Sequence, residues 1–294
     1  MILIAGGTGR LGRELVPLLQ SKGHRVRVLT RDVEHARRIL GTEPEMFAGD
    51  VRHPASLAEA AKNVDAVVSA VTGFGPGGAG PASVDYQGNL NLIQAAQAAG
   101  VNHFVLLSMH RSVGDHPMEL LRMKFRAEQA LRASRMQWTI VRPTVFMELW
   151  TGIVCEPIRV SGRATLFGRG ENPVNFVSVK DLARFVEVAL SDPRLRGRVL
   201  DVGGPEDISL IQMVRSFEGM YGKKVRIRHI PRTFMRFASV ALRPFRNDLA
   251  GMIGAGIVMD TTDMRFDARD LQRAYPEIEL TNLAVVARNL LATT

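Results

Sequence analysis

A single cysteine, Cys155, in 294 residues leaves no partner for an intramolecular disulfide and fits a chain held in a reducing compartment. Aromatic residues are sparse at 6%, and no apolar run approaches the length needed to span a bilayer. Residues 1–5 enter a glycine turn directly, without the basic leader and small-residue cleavage site of a secretory signal, so a soluble, cytoplasmic chain is expected. The seven histidines and Cys155 show no ligand spacing, so no metal centre is expected. The glycine-flanked serine of a hydrolase elbow does not occur, which excludes that route to nucleophilic catalysis. Internal repeats and low-complexity linkers are missing too.

What is present is cationic. A net charge of +9 comes mostly from arginines scattered through the chain, such as Arg25 and Arg27. Only residues 223–246 concentrate it: Lys223, Lys224, Arg226, Arg228, Arg232, Arg236, Arg243 and Arg246, with no acid between them. Phosphates, an anionic lipid surface or an acidic partner would meet such a patch. A solvated basic face is the simpler reading, and no nucleic-acid partner is expected. The same stretch carries Phe234, Met235, Phe237, Val240, Leu242 and Phe245, an amphipathic pattern that either docks on a surface or packs on its own lobe.

Apolar residues make up 46% of the chain, enough for one large α/β domain and a smaller lobe. Short apolar runs at Ile2 to Ala5, Arg25 to Thr30, Met46 to Ala48, Ala66 to Val71, His103 to Leu107 and Trp138 to Val141 read as strands. Helical patterns separate them: Leu11, Leu15, Leu18 and Leu19 before a Gly23 stop, then Tyr86 to Ala99, then Met118 to Ser134. This alternation predicts a doubly wound parallel sheet, whose ligands lie beyond the strand C-terminal ends. After Pro143 the rhythm loosens, with strands near Val174 to Val179, Arg198 to Val202 and Val225 to Ile230, and helices at Asp181 to Leu190 and Ser209 to Tyr221. The expected division is residues 1–150 as the sheet domain and residues 151–294 as a smaller C-terminal α/β lobe interleaved with it. The Gly/Pro stretch Gly73 to Pro81 follows the fourth strand and so belongs to the ligand edge.

Gly6-Gly7-Thr8-Gly9-Arg10-Leu11-Gly12 follows a strand and opens a helix, the context that gives a glycine string meaning. Gly6 makes the tight turn, Gly9 lets backbone N–H groups approach a pyrophosphate, and Gly12 lets helix meet strand. A dinucleotide cofactor is the expectation. At the end of the second strand, Arg31 suits an adenosine 2′-phosphate and Arg10 stands near enough to assist, which favours NADP; Asp32, one residue later, keeps NAD open. In Gly49-Asp50-Val51 the Asp50 carboxylate either meets the adenine amino group or caps the following helix. Ala70, Val71 and Thr72 end the fourth strand, where backbone would face the cofactor ribose.

Taken in order, the Gly6 to Gly12 loop, "GDV" at 49–51, "VDYQGNLNLIQAA" at 84–96, "HFVLLS" at 103–108, "KFRAEQALRASRMQWTIVRP" at 124–143, "NFVSVKDLAR" at 175–184 and "LDVGGPEDISL" at 200–210 resemble the atypical short-chain dehydrogenase/reductases, in particular the NmrA-like and isoflavone-reductase-like branch. The similarity covers nearly the whole chain. It implies a Rossmann fold, with Ser108 and Pro143 joining the glycine-loop residues Thr8 and Leu11 around the cofactor. Many relatives use a Tyr-x-x-x-Lys pair; Lys124 matches its lysine, but the tyrosine position holds Leu120 and the assisting serine falls close to Met109, beside Ser108. In isoflavone-reductase-like enzymes a lysine on this helix works without the tyrosine, so the resemblance makes Lys124 a candidate for catalysis or a nicotinamide-ribose contact, against a plain surface lysine.

His110, just after the fifth strand, is a second candidate for proton transfer. Arg142, Pro143 and Thr144 would shape the nicotinamide pocket, with Phe146, Met147 and Trp150 as either an apolar wall or ordinary core. Two functions follow as expectations. One is an NADP(H)-dependent reductase that delivers hydride to a small apolar carbonyl or quinone-like acceptor. The other is a non-catalytic NADP(H)-binding redox sensor or assembly protein, favoured by the leucine at position 120.

Overall fold

The structure is a computed structural model that describes residues 1–222 and 224–292. The chain begins with β1 (Ile2–Ala5), α1 (Arg10–Ser21), β2 (Val26–Thr30), α2 (Val33–Leu40), β3 (Glu45–Ala48), α3 (Pro54–Ala60) and β4 (Ala66–Ser69). A π-helical segment, Ala82–Gly88, leads into α4 (Asn89–Ala98), followed by β5 (His103–Leu107), α5 (Glu119–Arg132) and β6 (Gln137–Pro143). Then come β7 (Val145–Phe146), α6 (Met147–Ser161), β8 (Arg163–Phe167), β9 (Val174–Val177), α7 (Val179–Ser191) and β10 (Arg198–Val202). The remainder is β11 (Asp207–Ile208), α8 (Leu210–Tyr221), β12 (Arg226–Ile230), α9 (Arg232–Leu242), α10 (Asn247–Thr261), α11 (Arg269–Ala274) and α12 (Leu283–Ala292).

Two compact units emerge, and the boundary differs from a cut at residue 150. The first comprises Met1–Pro143 and Leu182–Asp201; the second takes Thr144–Asp181 and the chain from Val202 onward. In the first unit seven strands form one sheet in the order β10-β6-β5-β4-β1-β2-β3, the doubly wound Rossmann arrangement. β1 to β6 pair parallel throughout. Every residue of β1 and β5 is buried, as strands covered by helices on both faces require. The helices meet the sheet through single apolar stripes: α1 buries Leu11, Leu15, Val16 and Leu19. Leu3, Leu92, Phe104, Leu106 and Leu131 sit in one fully buried core.

The second unit has its own core, centred on Met147, Val154, Cys155, Phe176, Met213 and Phe217. It holds a three-stranded sheet, β11-β9-β7, and a parallel pair, β12-β8. Neither α6 nor β8 is marked by the sequence pattern; Gly162, in the left-handed region at φ +65°, ends the helix and lets the chain turn straight into the strand. Burial pushes the Cys155 thiol up to about 12, so it packs as a small apolar group. Among the described residues no helix is long and apolar enough to cross a membrane.

Candidate functional site

At the C-terminal end of β1 the chain turns through Gly6, whose φ of +92° suits glycine and whose absent Cβ would stand 2.6 Å from the Ala70 carbonyl oxygen. Gly12 is packed still more closely: a Cβ there would lie 2.3 Å from the Gly7 carbonyl oxygen. These two positions pin the start of α1 against β1 and the end of β4. Between them the Gly9 amide donates to the Gly6 carbonyl at 3.0 Å, and Gly9 and Arg10 are exposed. Among the described residues no side chain caps α1. Its first N–H groups and positive dipole end therefore stand available to an anion, and Gly9 leaves the space in front of them unfilled, so the residues fit a pyrophosphate. Thr8 helps fix the loop, its carbonyl accepting from Arg13 Nε at 3.0 Å, while the Leu11 side chain points into the core.

The end of β2 separates its two candidate ribose-side residues. Asp32 caps α2, its Oδ1 accepting from the His35 amide at 2.9 Å, and Thr30 Oγ1 braces its backbone. Arg31 is exposed beside it. Asp50 does not cap the following helix; α3 starts at Pro54, with His53 in the N-cap position. Instead the Asp50 carboxylate holds Arg52, with Nη2 2.6 Å from Oδ2 and the Arg52 amide 2.9 Å from Oδ1. Those hydrogen bonds, with the Arg31 charge adding, keep the Asp50 carboxyl below the usual carboxylate range. Arg31 and Arg52 thus share one acidic neighbour, a third arginine beyond the two the sequence pointed to. Val51 is buried, and its carbonyl accepts from Asn91 Nδ2 at 2.9 Å.

β4 ends at Ser69, two residues sooner than its apolar run, so Ala70, Val71 and Thr72 form the exit turn. Lys124, on α5, reaches it from below. The side chain is 7% exposed, and its ammonium lies 2.9 Å from the Val71 carbonyl, 3.0 Å from the Leu107 carbonyl and 3.0 Å from Asp85 Oδ1. Lys124 is therefore no surface lysine: it is a buried cation that ties the ends of β4 and β5 to the π-helical segment. Asp85 is fully buried, its Oδ2 accepting from the Gly73 amide at 2.8 Å and from Thr72 Oγ1 at 3.4 Å. Asn89 extends the network, donating to the Asp85 carbonyl at 2.8 Å and accepting from Ser69 Oγ at 2.6 Å. Asp85 and Asn89 were not singled out by the sequence, although their spacing of four places them one turn apart.

A second buried pair underlies β5 and β6. Glu128 is fully buried and grips Arg142 through two bonds, Nε to Oε1 at 2.8 Å and Nη2 to Oε2 at 2.6 Å. Ser108 also donates to Glu128. Arg142 thus spends its guanidinium inside the unit, and Leu120 is buried at the tyrosine position. Above this layer the His110 amide donates to the Pro143 carbonyl at 2.8 Å, and His110 Nδ1 lies 2.8 Å from Asp201 Oδ1. The imidazole is 25% exposed and Asp201 40%, so this pair meets solvent at the C-terminal ends of β5, β6 and β10. His110 is legible in the sequence, whereas Asp201, 91 residues on, carries no local signal. Met147 and Trp150 belong to the core of the second unit, with Trp150 edge-on to Phe167 at 6.3 Å, so they are core residues there. Phe146 is half-buried.

A family model described as NAD(P)H-binding matches residues 6–193. The chain is 32% identical over 226 residues to an NAD(P)H azoreductase of Xenophilus azovorans, spanning 77% of this chain and 76% of that one. It is 29% identical over 246 residues to the photosystem II assembly factor Ycf39 of Synechocystis, spanning 83% and 75%. In structure it is similar to the NADPH-dependent quinone oxidoreductase QOR2 of Escherichia coli solved with NADPH, at a TM-score of 0.80, 19% identity and coverage of 99% and 100%.

Proposed function

The chain belongs to the NAD(P)H-binding family, and from that premise we propose that it is an NADPH-dependent reductase of the atypical short-chain dehydrogenase/reductase type, acting on a small apolar carbonyl or quinone-like acceptor. One observation carries the reading: an uncapped α1 behind an open glycine turn, with Arg31 exposed while its neighbour Asp32 is committed to capping α2. The uncapped N–H groups and helix dipole bind the pyrophosphate. Arg31, with Arg10 and Arg52, binds the adenosine 2′-phosphate. Asp32 is engaged by the His35 amide, which weakens the case for NAD.

Bound NADPH supplies the hydride. Delivered to a carbonyl carbon, it would displace the carbon–oxygen π pair onto oxygen. His110, protonated, gives that oxygen its proton, and Asp201 holds the ring in orientation through Nδ1. Lys124 serves by fixing the exit turn of β4 rather than by touching substrate, since three protein oxygens already surround its ammonium.

The azoreductase and quinone reductase resemblances make quinones and aromatic carbonyls the first acceptors to offer. NADPH consumption with naphthoquinone or an aromatic aldehyde is expected, with NADH the poorer donor. In Arg31→Ala the loss of a charge-assisted contact weakens NADPH about tenfold to a hundredfold and leaves NADH unchanged. Tight NADPH binding without turnover of any acceptor would instead favour a binding or assembly role, the reading supported by Leu120 and by the assembly-factor relative.

A further inference from the structure

The basic stretch flagged by its charge has no part in the reductase reading, and the structure gives it a shape. Lys223 lies outside the described residues; the others are exposed. α9 packs through Met235, which is 2% exposed and rests near Gly256 of α10. Ala238 and Leu242 are half-buried, but the larger apolar side chains around them do not pack. Phe234, Phe237, Val240 and the following Phe245 are 61–83% exposed, four of the seven exposed large hydrophobic side chains among the described residues. A patch of this kind on a helix that has already buried its inner face marks a contact surface.

At about 100° per residue, Phe234, Phe237 and Val240 share one outward face, and Arg232, Arg236 and Arg243 fall within about 40° of one another along its flank. Arg232 stands 3.6 Å from the buried Asp260, and Arg246 pairs with Asp248. Arg226, Arg228, Arg236 and Arg243 have no ion-pair partner among the described residues, and no acid occurs between residues 223 and 246. The occupant must therefore be both anionic and apolar. A second copy of this chain does not qualify, because a two-fold contact here would set one row of arginines against the other. We propose that α9 and Phe245 dock the protein on an anionic phospholipid surface, with the phenylalanines entering the headgroup–acyl boundary and the arginines meeting the lipid phosphates.

The test is co-sedimentation of the full chain with vesicles of phosphatidylcholine alone and of phosphatidylcholine carrying phosphatidylglycerol, with sedimentation velocity in parallel. Expected is binding to the mixed vesicles only, weakened by salt. Arg236→Glu and Arg243→Glu should each lower the partition coefficient about fivefold or more. The triple variant Phe234→Ser, Phe237→Ser, Phe245→Ser should release the protein while its circular dichroism and melting temperature stay unchanged, since all three side chains are exposed. The proposal is overturned if the mixed vesicles recover no protein, or if both variant classes bind as the parent does. A parent dimer that the triple variant splits would overturn it as well.

Discussion

Replacing Lys124 by methionine separates a structural lysine from a catalytic one. The substitution keeps a four-atom apolar stem and removes only the charged end, so the stem still packs as before. What it leaves behind is Asp85, fully buried, with no cation near its Oδ1, and two strand-end carbonyls, of Val71 and Leu107, without their donor. Removing one partner of a buried ion pair costs about 3–5 kcal/mol. Against a typical domain stability of about 5–15 kcal/mol, that is a large fraction. Urea unfolding followed by far-UV circular dichroism should therefore show the midpoint falling sharply. Asp85→Asn keeps a carbonyl oxygen for the Gly73 amide, so the double variant Lys124→Met, Asp85→Asn should recover about 1–3 kcal/mol of the loss. Under conditions where Lys124→Met stays folded, its kcat should remain within about tenfold of the parent, far short of the loss expected for a proton-transferring group. A Lys124→Met protein within about 1 kcal/mol of the parent in stability, but with turnover abolished, would refute this reasoning and return Lys124 to the chemistry.

Two further outcomes follow from other buried or paired groups. His110→Asn should lower kcat about 10²- to 10⁴-fold while leaving NADPH affinity unchanged, as measured by steady-state kinetics beside calorimetric titration; an unchanged kcat would exclude it as the proton donor. His103 is buried beside Thr139 with the Arg196 guanidinium 2.6 Å from Nδ1, and burial, with that charge adding, pushes its pKa down from 6.5 to about 3. Between those values the unfolded chain takes up a proton that the folded chain refuses, so stability falls as pH drops below 6.5, by about 1.4 kcal/mol per pH unit from this group. Above pH 6.5 the group adds no pH dependence, and His103→Gln should melt with a visibly flatter acid limb than the parent.

The elements that the sequence disclosed are those whose cause is local. A buried parallel strand such as β1 is a run of apolar residues, and α1 shows its stripe at Leu11, Leu15 and Leu19. The glycine turn is legible because each glycine answers a nearby backbone constraint. The buried ion pairs are not legible in that way. Glu128 looks like one more acid on a charged helix until β6 brings Arg142 against it, and Asp85 looks like a loop residue until Lys124 arrives from α5, 39 positions later. The pairing of β8 with β12 links residues 163–167 to 226–230 and has no signature in either segment. For α9 the difficulty is of another kind: its pattern is that of a packed amphipathic helix, yet it packs through Met235 and leaves its phenylalanines outside.

Buried ion pairs also bear on the choice between turnover and mere binding. Lys124 on α5 and Arg142 on β6 are both engaged by buried carboxylates and hold the sheet rim in one shape. A rim fixed in this way positions a dinucleotide equally well for a reductase or for a binding protein, which is why the fold alone does not decide between them. The discriminating group has to be one that the rim does not need. His110 and Asp201 meet that description: they are partly exposed and sit above the Glu128–Arg142 layer. Preorganising an imidazole against a carboxylate adds little to a partly exposed surface but gives a proton donor its orientation. If Asp201→Asn lowered kcat while the melting temperature held, that orientation would be the reason the pair exists.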